Sequence, residues 1–263
     1  MYLTGFADEA AADIAGQIRV TRTLGWHHIE ARNVNGTNLH DLDEKTFDAV
    51  AGALAEAGIT VNCFGSAIAN WGTAVTAPFE PTLAQVQRAV SRMERLGTRL
   101  IRIMSFAVLP DRGPDDQMED ERFRRLRALC APFLDAGIQP VHENCMCYGG
   151  MSPAHALRML EAVPGLRLVF DTGNPVFTPD YGKPAPRPMQ SAWDFYRAVR
   201  PHIAYVHIKD GVWDNAARKT RYCFPGDGQG DVRRIVADLL ASGVTAIAYE
   251  TVTGVGNSLP LLK

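Results

Sequence analysis

Short apolar runs alternate with amphipathic stretches along the whole chain. The short runs predict strands, because they are rich in β-branched and apolar residues and end at turn-forming residues. They are YLTGFAD, HHIEAR, TVNCFGS, RLIRIMS, IQPVHEN, LRLVFD, AYVHIKD and TAIAYET. Between them, segments such as EKTFDAVAGALAEAG and PTLAQVQRAVSRMERLG repeat apolar residues with the helical period. The pattern therefore predicts that strands and helices alternate throughout the chain.

This alternation favours parallel strands that are joined by crossover helices. Eight such units in 263 residues match the number in a (β/α)8 TIM barrel. A doubly wound open sheet is the alternative, but GFADEAA after the first strand is not a GxGxxG fingerprint. We therefore expect an α/β TIM barrel, with residues 1–263 forming a single domain. Only VTGVGNSLPLLK follows AYET, so we expect a shortened or missing last helix and a homo-oligomer that covers the flank.

Composition narrows the possible partners. The net charge is −2 and the pI about 6.4, so no overall basic field would attract nucleic acid or anionic lipid. The chain has no apolar run near the ~20 residues of a membrane span, and its start lacks the order of a signal peptide. Five cysteines without CxxC pairs favour a reducing compartment. We expect a cytoplasmic protein that binds neither nucleic acid nor membrane.

Polar side chains collect at the ends of the later predicted strands. In a barrel the carboxyl ends of all strands meet on one face, so these side chains are expected to converge. The period of two places Val141 with Glu143, and Val169 with Asp171, on the inward face. The four strand-end residues that could bind a metal are Glu143, Asp171, His207 and Glu250.

Three carboxylates and one imidazole need a cation to offset their repulsion, and a single divalent metal ion would supply it. Hard oxygen donors with one nitrogen favour Mn²⁺, with Mg²⁺, Co²⁺ and Zn²⁺ as alternatives. The other interpretation is that the carboxylates form separate salt bridges with Arg102, Lys209 or Arg32. That interpretation explains the coincidence of four strand ends poorly.

The motifs VHEN, VFDTGN, VHIKD, FPGDGQGD and YET, in that order, resemble those of the xylose-isomerase-like TIM barrels. GFADEAAADIAGQI and LGWHHIEAR resemble the sugar phosphate isomerase/epimerase branch, which includes ketose epimerase and inosose dehydratase relatives. The resemblance implies that Glu143, Asp171, His207 and Glu250 bind one divalent metal ion. It further implies that Glu143 and Glu250 are the catalytic acid/base pair, and that the substrate is a small carbohydrate.

A metal beside two carboxylates suits proton abstraction next to a carbonyl, with the charge held as an enediolate. Return of the proton to the opposite face gives an epimer, and return to the neighbouring carbon gives an isomer. Loss of a β-hydroxyl gives a dehydrated product instead. We therefore expect a sugar or keto-sugar isomerase/epimerase, with a metal-dependent dehydratase or lyase acting on a keto-sugar or inosose as the alternative.

Five residues are candidates for substrate binding. Lys209 offsets the negative charge of the site and would hold a substrate oxygen, unless it pairs with Asp210 or extends to solvent. Asn174 stands where ketohexose 3-epimerases carry a histidine. By alternation, Glu30 and Arg32 lie at the mouth of the barrel, where they bind the substrate or form a rim salt bridge. Trp71 could stack on a sugar face or pack within its loop.

Two further classes of protein are less favoured. Apurinic-site endonucleases share the barrel but hold three zinc ions with extra histidines, and Asn174 stands where such an enzyme needs histidine. A non-catalytic sugar-binding barrel would not need both Glu143 and Glu250 around one ion. An enzyme acting on a carbohydrate is therefore the principal hypothesis.

Overall fold

The computed structural model describes residues 2–241 and 246–249, the latter as backbone only. Twelve strands lie in this part of the chain. They are β1 (Tyr2–Gly5), β2 (His28–Ala31), β3 (Asn33–Val34), β4 (Thr37–Asn38), β5 (Thr60–Gly65), β6 (Leu100–Ile103), β7 (Gln139–Glu143), β8 (Arg167–Asp171), β9 (Ile203–Ile208), β10 (Gly211–Asp214), β11 (Lys219–Tyr222) and β12 (Ala246–Tyr249).

Eight of these strands form one parallel sheet in the order β1-β12-β9-β8-β7-β6-β5-β2. A parallel bridge between Phe6 and Glu30 brings the β1 end of the sheet beside β2, so the sheet closes on itself. The eight strands correspond to the eight strands that the sequence predicts. The TIM-barrel prediction is therefore confirmed. The pairs β3–β4 and β10–β11 are small antiparallel hairpins on connecting segments.

Helices follow the barrel strands and cover the sheet. Within the described residues they are α1 (Ile14–Thr23), α2 (Glu44–Ala57), α3 (Glu80–Leu96), α4 (Glu119–Asp135), α5 (Pro153–Ala162), α6 (Asn174–Phe177), α7 (Ala192–Val199) and α8 (Val232–Ala241). Side chains of Asp13, Asp43, Ser152 and Ser191 cap the amino ends of α1, α2, α5 and α7 by accepting a backbone N–H. None of these helices is long and apolar enough to cross a membrane.

Apolar side chains lie in two layers. The larger cluster joins the outer face of the sheet to the helices, and includes Phe47, Phe133 and Phe170, each with no exposed surface. A smaller cluster fills the barrel interior with Cys63, Val141, Val169 and Tyr205. Burial of both clusters removes apolar surface from water at ~25 cal/mol per Å², which is the main stabilising contribution to such a fold.

Two segments are considered separately, the C-terminal residues 250–263 and the connection that follows β8. The predicted shortened or missing last helix falls on residues 250–263, which lie outside the described residues. The segment after β8 begins with the short helix α6 and then continues to α7, which the sequence pattern did not predict. The Ala185–Pro186 peptide bond in this connection is cis.

Gly150 is expected to tolerate no side chain. A Cβ atom at this position would lie 1.7 Å from the Cys145 carbonyl oxygen, so the loop after β7 would have to move. We expect Gly150→Ala to lower the free energy of unfolding by ~1–3 kcal/mol or more, as overpacking does. Urea denaturation of the variant and the wild type measures the difference.

Gly52 provides the matched control, because it lies on α2 and a Cβ there would meet nothing within 4 Å. Gly52→Ala is expected to raise the free energy of unfolding by ~0.5–1 kcal/mol, since alanine has the higher helix propensity. Equal stabilities of the Gly150→Ala variant and the wild type would contradict the described path of the loop.

Candidate functional site

The site lies one layer above the apolar cluster of the barrel interior. Val141, Val169 and Tyr205 belong to that cluster, and the residues two positions later are Glu143, Asp171 and His207. Because side chains alternate along a strand, these three residues also point into the barrel. Asp171 pairs with His207 across β8 and β9, while Glu143 pairs with Val169 across β7 and β8.

Glu143, Asp171 and His207 form a compact ligand-type cluster. Each residue offers one ligand atom, and these atoms all lie within 4.8 Å of one another. All three residues are buried, with 3%, 0% and 0% of their surfaces exposed. Atoms bound to one ion at ~2.0–2.6 Å lie at most about 4–5 Å apart, so the geometry fits a divalent ion. Glu250, the fourth predicted ligand, lies outside the described residues.

Both carboxylate oxygens of Glu143 have polar neighbours. Arg102 Nη1 donates to Oε2 at 2.7 Å, and Asn174 Nδ2 donates to Oε1 at 2.9 Å. Burial alone would raise the pKa of Glu143, but the charges of Arg102, His207 and Lys209 hold it well below its ordinary value. Glu143 is therefore ionised at neutral pH.

The buried strand β8 ends in the charged residue Asp171, and polar partners surround its carboxylate. Its Oδ1 accepts the backbone N–H groups of Gly173 and Asn174 at 2.8 and 2.7 Å, and its Oδ2 lies 3.0 Å from Lys209 Nζ. Asn144 fixes the backbone of Asp171, because its amide accepts from the Asp171 N–H and donates to the Asp171 carbonyl. The ammonium and the amides offset the unfavourable burial of this carboxylate.

His207 lies between two carboxylates. Its Nε2 is 2.9 Å from Glu30 Oε2, and its Nδ1 is 3.8 Å from Glu143 Oε1. The Tyr205 hydroxyl donates to the same Glu30 oxygen at 2.9 Å, and the Phe6 ring meets the imidazole edge at 5.1 Å. Burial would lower the pKa of His207, but Glu30 and Glu143 raise it well above its ordinary value.

Lys209 is held beside this cluster by its backbone. Thr172 Oγ1 donates to the Lys209 carbonyl at 2.6 Å and accepts from the Lys209 N–H at 3.0 Å. The side chain is 9% exposed and reaches Asp171. Arg102 pairs with Glu143 and Lys209 pairs with Asp171, and both cations are among those that the salt-bridge interpretation named. Both ion pairs belong to the compact cluster whose geometry also fits an ion.

The remaining predicted substrate-binding residues lie at different depths. Arg32 is about a quarter exposed, pairs with Asp8 and Glu9, and places its guanidinium 4.4 Å from the Phe6 ring centre. Trp71 is half exposed, and no described contact joins its ring to the cluster. Asn174 contacts Glu143 directly. Glu30, by contrast, has no exposed surface and contacts His207 Nε2.

Another buried carboxylate, that of Asp210, organises the glycine-rich loop FPGDGQGD. Asp210 accepts backbone N–H groups at 2.8–3.0 Å, and the donors are Gly211, Gly226, Gly228 and Gly230. These converging amides form a nest for an anion, and the chain's own carboxylate lies in it. The loop is thus fixed against the end of β9, next to Lys209.

Comparison with known proteins agrees with this architecture. A family model described as xylose isomerase-like TIM barrel matches residues 18–257. The comparison with curated proteins finds no match. The three solved structures described below are at most 20% identical to the chain in sequence, so their similarity supports the fold alone.

Three similar structures span nearly the whole chain. A xylose isomerase-like TIM barrel protein from Mycobacterium smegmatis, in complex with magnesium, is 20% identical and has a TM-score of 0.73. The match covers 98% of this chain and 91% of the Mycobacterium smegmatis chain. A probable 3-DHS dehydratase of petrobactin synthesis from Bacillus anthracis is 16% identical, with coverage of 100% and 96% and a TM-score of 0.72. A D-allulose 3-epimerase from Methylomonas sp., in complex with D-allulose, is 15% identical, with coverage of 97% and 85% and a TM-score of 0.67.

Proposed function

The chain belongs to the xylose isomerase-like TIM barrel family, and from this membership we propose that it is a divalent-metal-dependent sugar or keto-sugar isomerase or epimerase. The observation that carries the proposal is the buried cluster of Glu143, Asp171 and His207 at the carboxyl ends of adjacent strands. Active sites of TIM barrels lie on this face. The likeness to a D-allulose 3-epimerase supports the substrate class. We also propose that residues 1–263 form one barrel domain.

Glu143, Asp171 and His207, together with Glu250, would hold one divalent ion. Two buried carboxylates and one imidazole within 4.8 Å favour Mn²⁺, with Mg²⁺, Co²⁺ and Zn²⁺ as alternatives. When bound, the ion supplies Lewis acidity that polarises a substrate carbonyl and makes the neighbouring carbon-bound proton more acidic.

The protein's own residues then carry the proton. Glu143 would accept the proton from the substrate carbon, because its carboxylate lies within the cluster that would hold the ion beside the substrate. Arg102 and Asn174 fix the two oxygens of Glu143 and so orient them. Glu250 would return the proton, to the opposite face for an epimer or to the adjacent carbon for an isomer. Lys209, Asn174, Arg32 and Trp71 are proposed to hold substrate oxygens or a sugar face.

A dehydratase acting on a keto-sugar or inosose is the second candidate. The observation that favours it is the Lys209 ammonium, which lies beside Asp171 within the buried cluster. In this reaction Glu143 would take the carbon-bound proton, and Lys209 would donate a proton to the departing β-hydroxyl, which leaves as water. The likeness to a probable 3-DHS dehydratase is consistent with this alternative.

Metal content provides the first test. Metal analysis of protein prepared without chelator, or reloaded with Mn²⁺, is expected to find about one ion per chain. Asp171→Asn should lose most of this binding, because it removes one negative ligand. Asp227→Asn, on the exposed glycine-rich loop, is the matched control and should bind the ion normally. A wild-type protein that binds no divalent ion would refute the proposal.

The reaction type is tested in deuterated water with Mn²⁺-loaded protein and a panel of keto-sugars and inososes. An epimerase or isomerase should place solvent deuterium on a substrate carbon, and its product should otherwise have the same mass as the substrate. A dehydratase should instead release water and form a conjugated carbonyl. Absence of both reactions across the panel would count against the enzyme proposals.

Self-association and a cytoplasmic location stay predictions from the sequence, and light scattering would test self-association.

A further inference from the structure

Glu30 lies on the Nε2 side of the His207 ring, and Glu143 lies on the Nδ1 side. We propose that Glu30 is the positioning residue that holds His207 with Nδ1 directed at Glu143 and Asp171, and that it thereby sets the affinity of the site for a divalent ion. The inference rests on the proposed function, since it concerns the same ion. It assigns Glu30 a role on the protein side of the site instead of contact with substrate.

The two nitrogens of His207 face different partners. Nε2 lies 2.9 Å from Glu30 Oε2, within hydrogen-bond distance, whereas Nδ1 lies 3.8 Å from Glu143 Oε1. A carboxylate only accepts hydrogen bonds, so the proton stays on Nε2. The nitrogen that faces Glu143 is therefore Nδ1, and it is the one that would bind an ion, which displaces any proton there. Such carboxylate–histidine pairs orient the ring and raise its basicity as a ligand.

Burial makes this contact a fixed one. Glu30 and His207 both have no exposed surface, so water does not compete for their hydrogen bond. The Phe6 ring packs against the imidazole at 5.1 Å and limits its rotation. Glu30 is also inaccessible to solvent, so its described role is toward the protein.

A chain of hydrogen bonds holds Glu30 in turn. Thr4 Oγ1 donates to Asn62 Oδ1 at 2.7 Å, Asn62 Nδ2 donates to the Tyr205 hydroxyl at 2.9 Å, and that hydroxyl donates to Glu30 Oε2 at 2.9 Å. Every donor in this chain points toward Glu30, which is its final acceptor. Residues of β1, β5 and β9 thus orient a carboxylate of β2.

The affinity for metal is the direct test. The dissociation constants of Mn²⁺ and Zn²⁺ are measured by competition with a chelator for the wild type, Glu30→Gln and Tyr205→Phe. Glu30→Gln should weaken binding by ~10–100-fold, the usual effect of losing such a partner. Glutamine has nearly the same shape, but it presents an amide N–H as well as an oxygen to Nε2. Tyr205→Phe keeps the Glu30–His207 contact and should weaken binding much less.

The outcomes separate this inference from the proposed function. If the wild type binds no divalent ion, the proposed metal centre fails. If the wild type binds an ion and Glu30→Gln binds it equally well, the metal centre stands and the role of Glu30 is refuted. An equal loss in Tyr205→Phe and Glu30→Gln would also refute it, because the effect would then come from the network as a whole.

A spectroscopic measurement on the wild type tests the same inference without depending on whether a variant folds. In Zn²⁺-loaded wild-type protein with ¹⁵N-labelled histidine, nuclear magnetic resonance distinguishes a protonated ring nitrogen from a metal-bound one. We expect His207 to show a proton on Nε2 and the ion on Nδ1. The reverse assignment, with the ion on Nε2, would overturn the inference whatever the affinities of the variants.

Discussion

Replacement of Glu143 by glutamine is expected to lower turnover of an accepted keto-sugar by ~10²–10⁴-fold, the usual loss when a general base is removed. Glutamine keeps the size of the side chain and one oxygen for an ion, but it cannot accept the carbon-bound proton. Glu250→Gln should cause a loss of similar size, because the proposed mechanism uses both carboxylates. Initial rates and metal content, measured on the same preparations, separate loss of the base from loss of the ion.

Two comparisons make this prediction specific. Glu121→Gln is the matched control on α4, where Glu121 pairs with Arg124 and Arg125 outside the cluster, and it should leave turnover unchanged. Incorporation of solvent deuterium should fall together with turnover in Glu143→Gln, since both depend on the same proton transfer. If Glu143→Gln and Glu250→Gln keep their metal and near-normal turnover, the two-glutamate mechanism is wrong.

Asp210→Ala is expected to lower the free energy of unfolding by at least about 3 kcal/mol, because each hydrogen bond to a charged group contributes ~1.5–3 kcal/mol. The carboxylate accepts N–H groups from Gly211, Gly226, Gly228 and Gly230. Its removal leaves these amides to find water, and the glycine-rich loop loses its anchor to β9. Denaturation in urea measures the loss, and limited proteolysis should show earlier cleavage within residues 224–230.

Asp227→Asn is the control for the same loop, because Asp227 is mostly exposed and lies 3.9 Å from Arg233. It should change stability by less than ~0.5 kcal/mol, as surface substitutions do. Gly228→Ala should act in the same direction as Asp210→Ala, since its Cβ would come within 2.2 Å of Asp210 Oδ1. Wild-type stability of Asp210→Ala would show that the nest does not stabilise the loop.

The sequence predicted the barrel strands and the convergence of their polar ends because both follow from periods. A side-chain period of two placed Val141 and Glu143, and Val169 and Asp171, on one face. Parallel pairing then brought the ends of β7, β8 and β9 together without any knowledge of distances. These two steps predicted that Glu143, Asp171 and His207 lie close together, and the structure places them in one cluster.

Pairings between distant residues could not be predicted in the same way. Glu30 and His207 are separated by 177 positions, and alternation places Glu30 inward without saying that it contacts an imidazole. The salt bridge of Arg102 with Glu143 was one of several alternatives that the residue types allowed. The depth of a side chain within a barrel depends on the stagger between strands, which a single sequence does not reveal.

Helix α7 was missed for a different reason. It is only 8 residues long and follows a proline-rich stretch, so its apolar period is too brief to stand out. Its start carries a local signal, because Ser191 accepts a hydrogen bond from the Asp194 N–H. In short helices such a cap is more informative than the apolar pattern.

Synthesis of the chain makes β1 more than 240 residues before its partner β12, although the two strands pair along their whole length. Until β12 emerges, β1 and β9 each lack a neighbour on one side, and an unpaired strand edge can pair with another chain. Barrel closure therefore waits until β12 has been made, even though Glu143, Asp171 and His207 precede it in the chain. A nascent or truncated chain that ends before residue 246 should be an open sheet that aggregates readily and depends on chaperones.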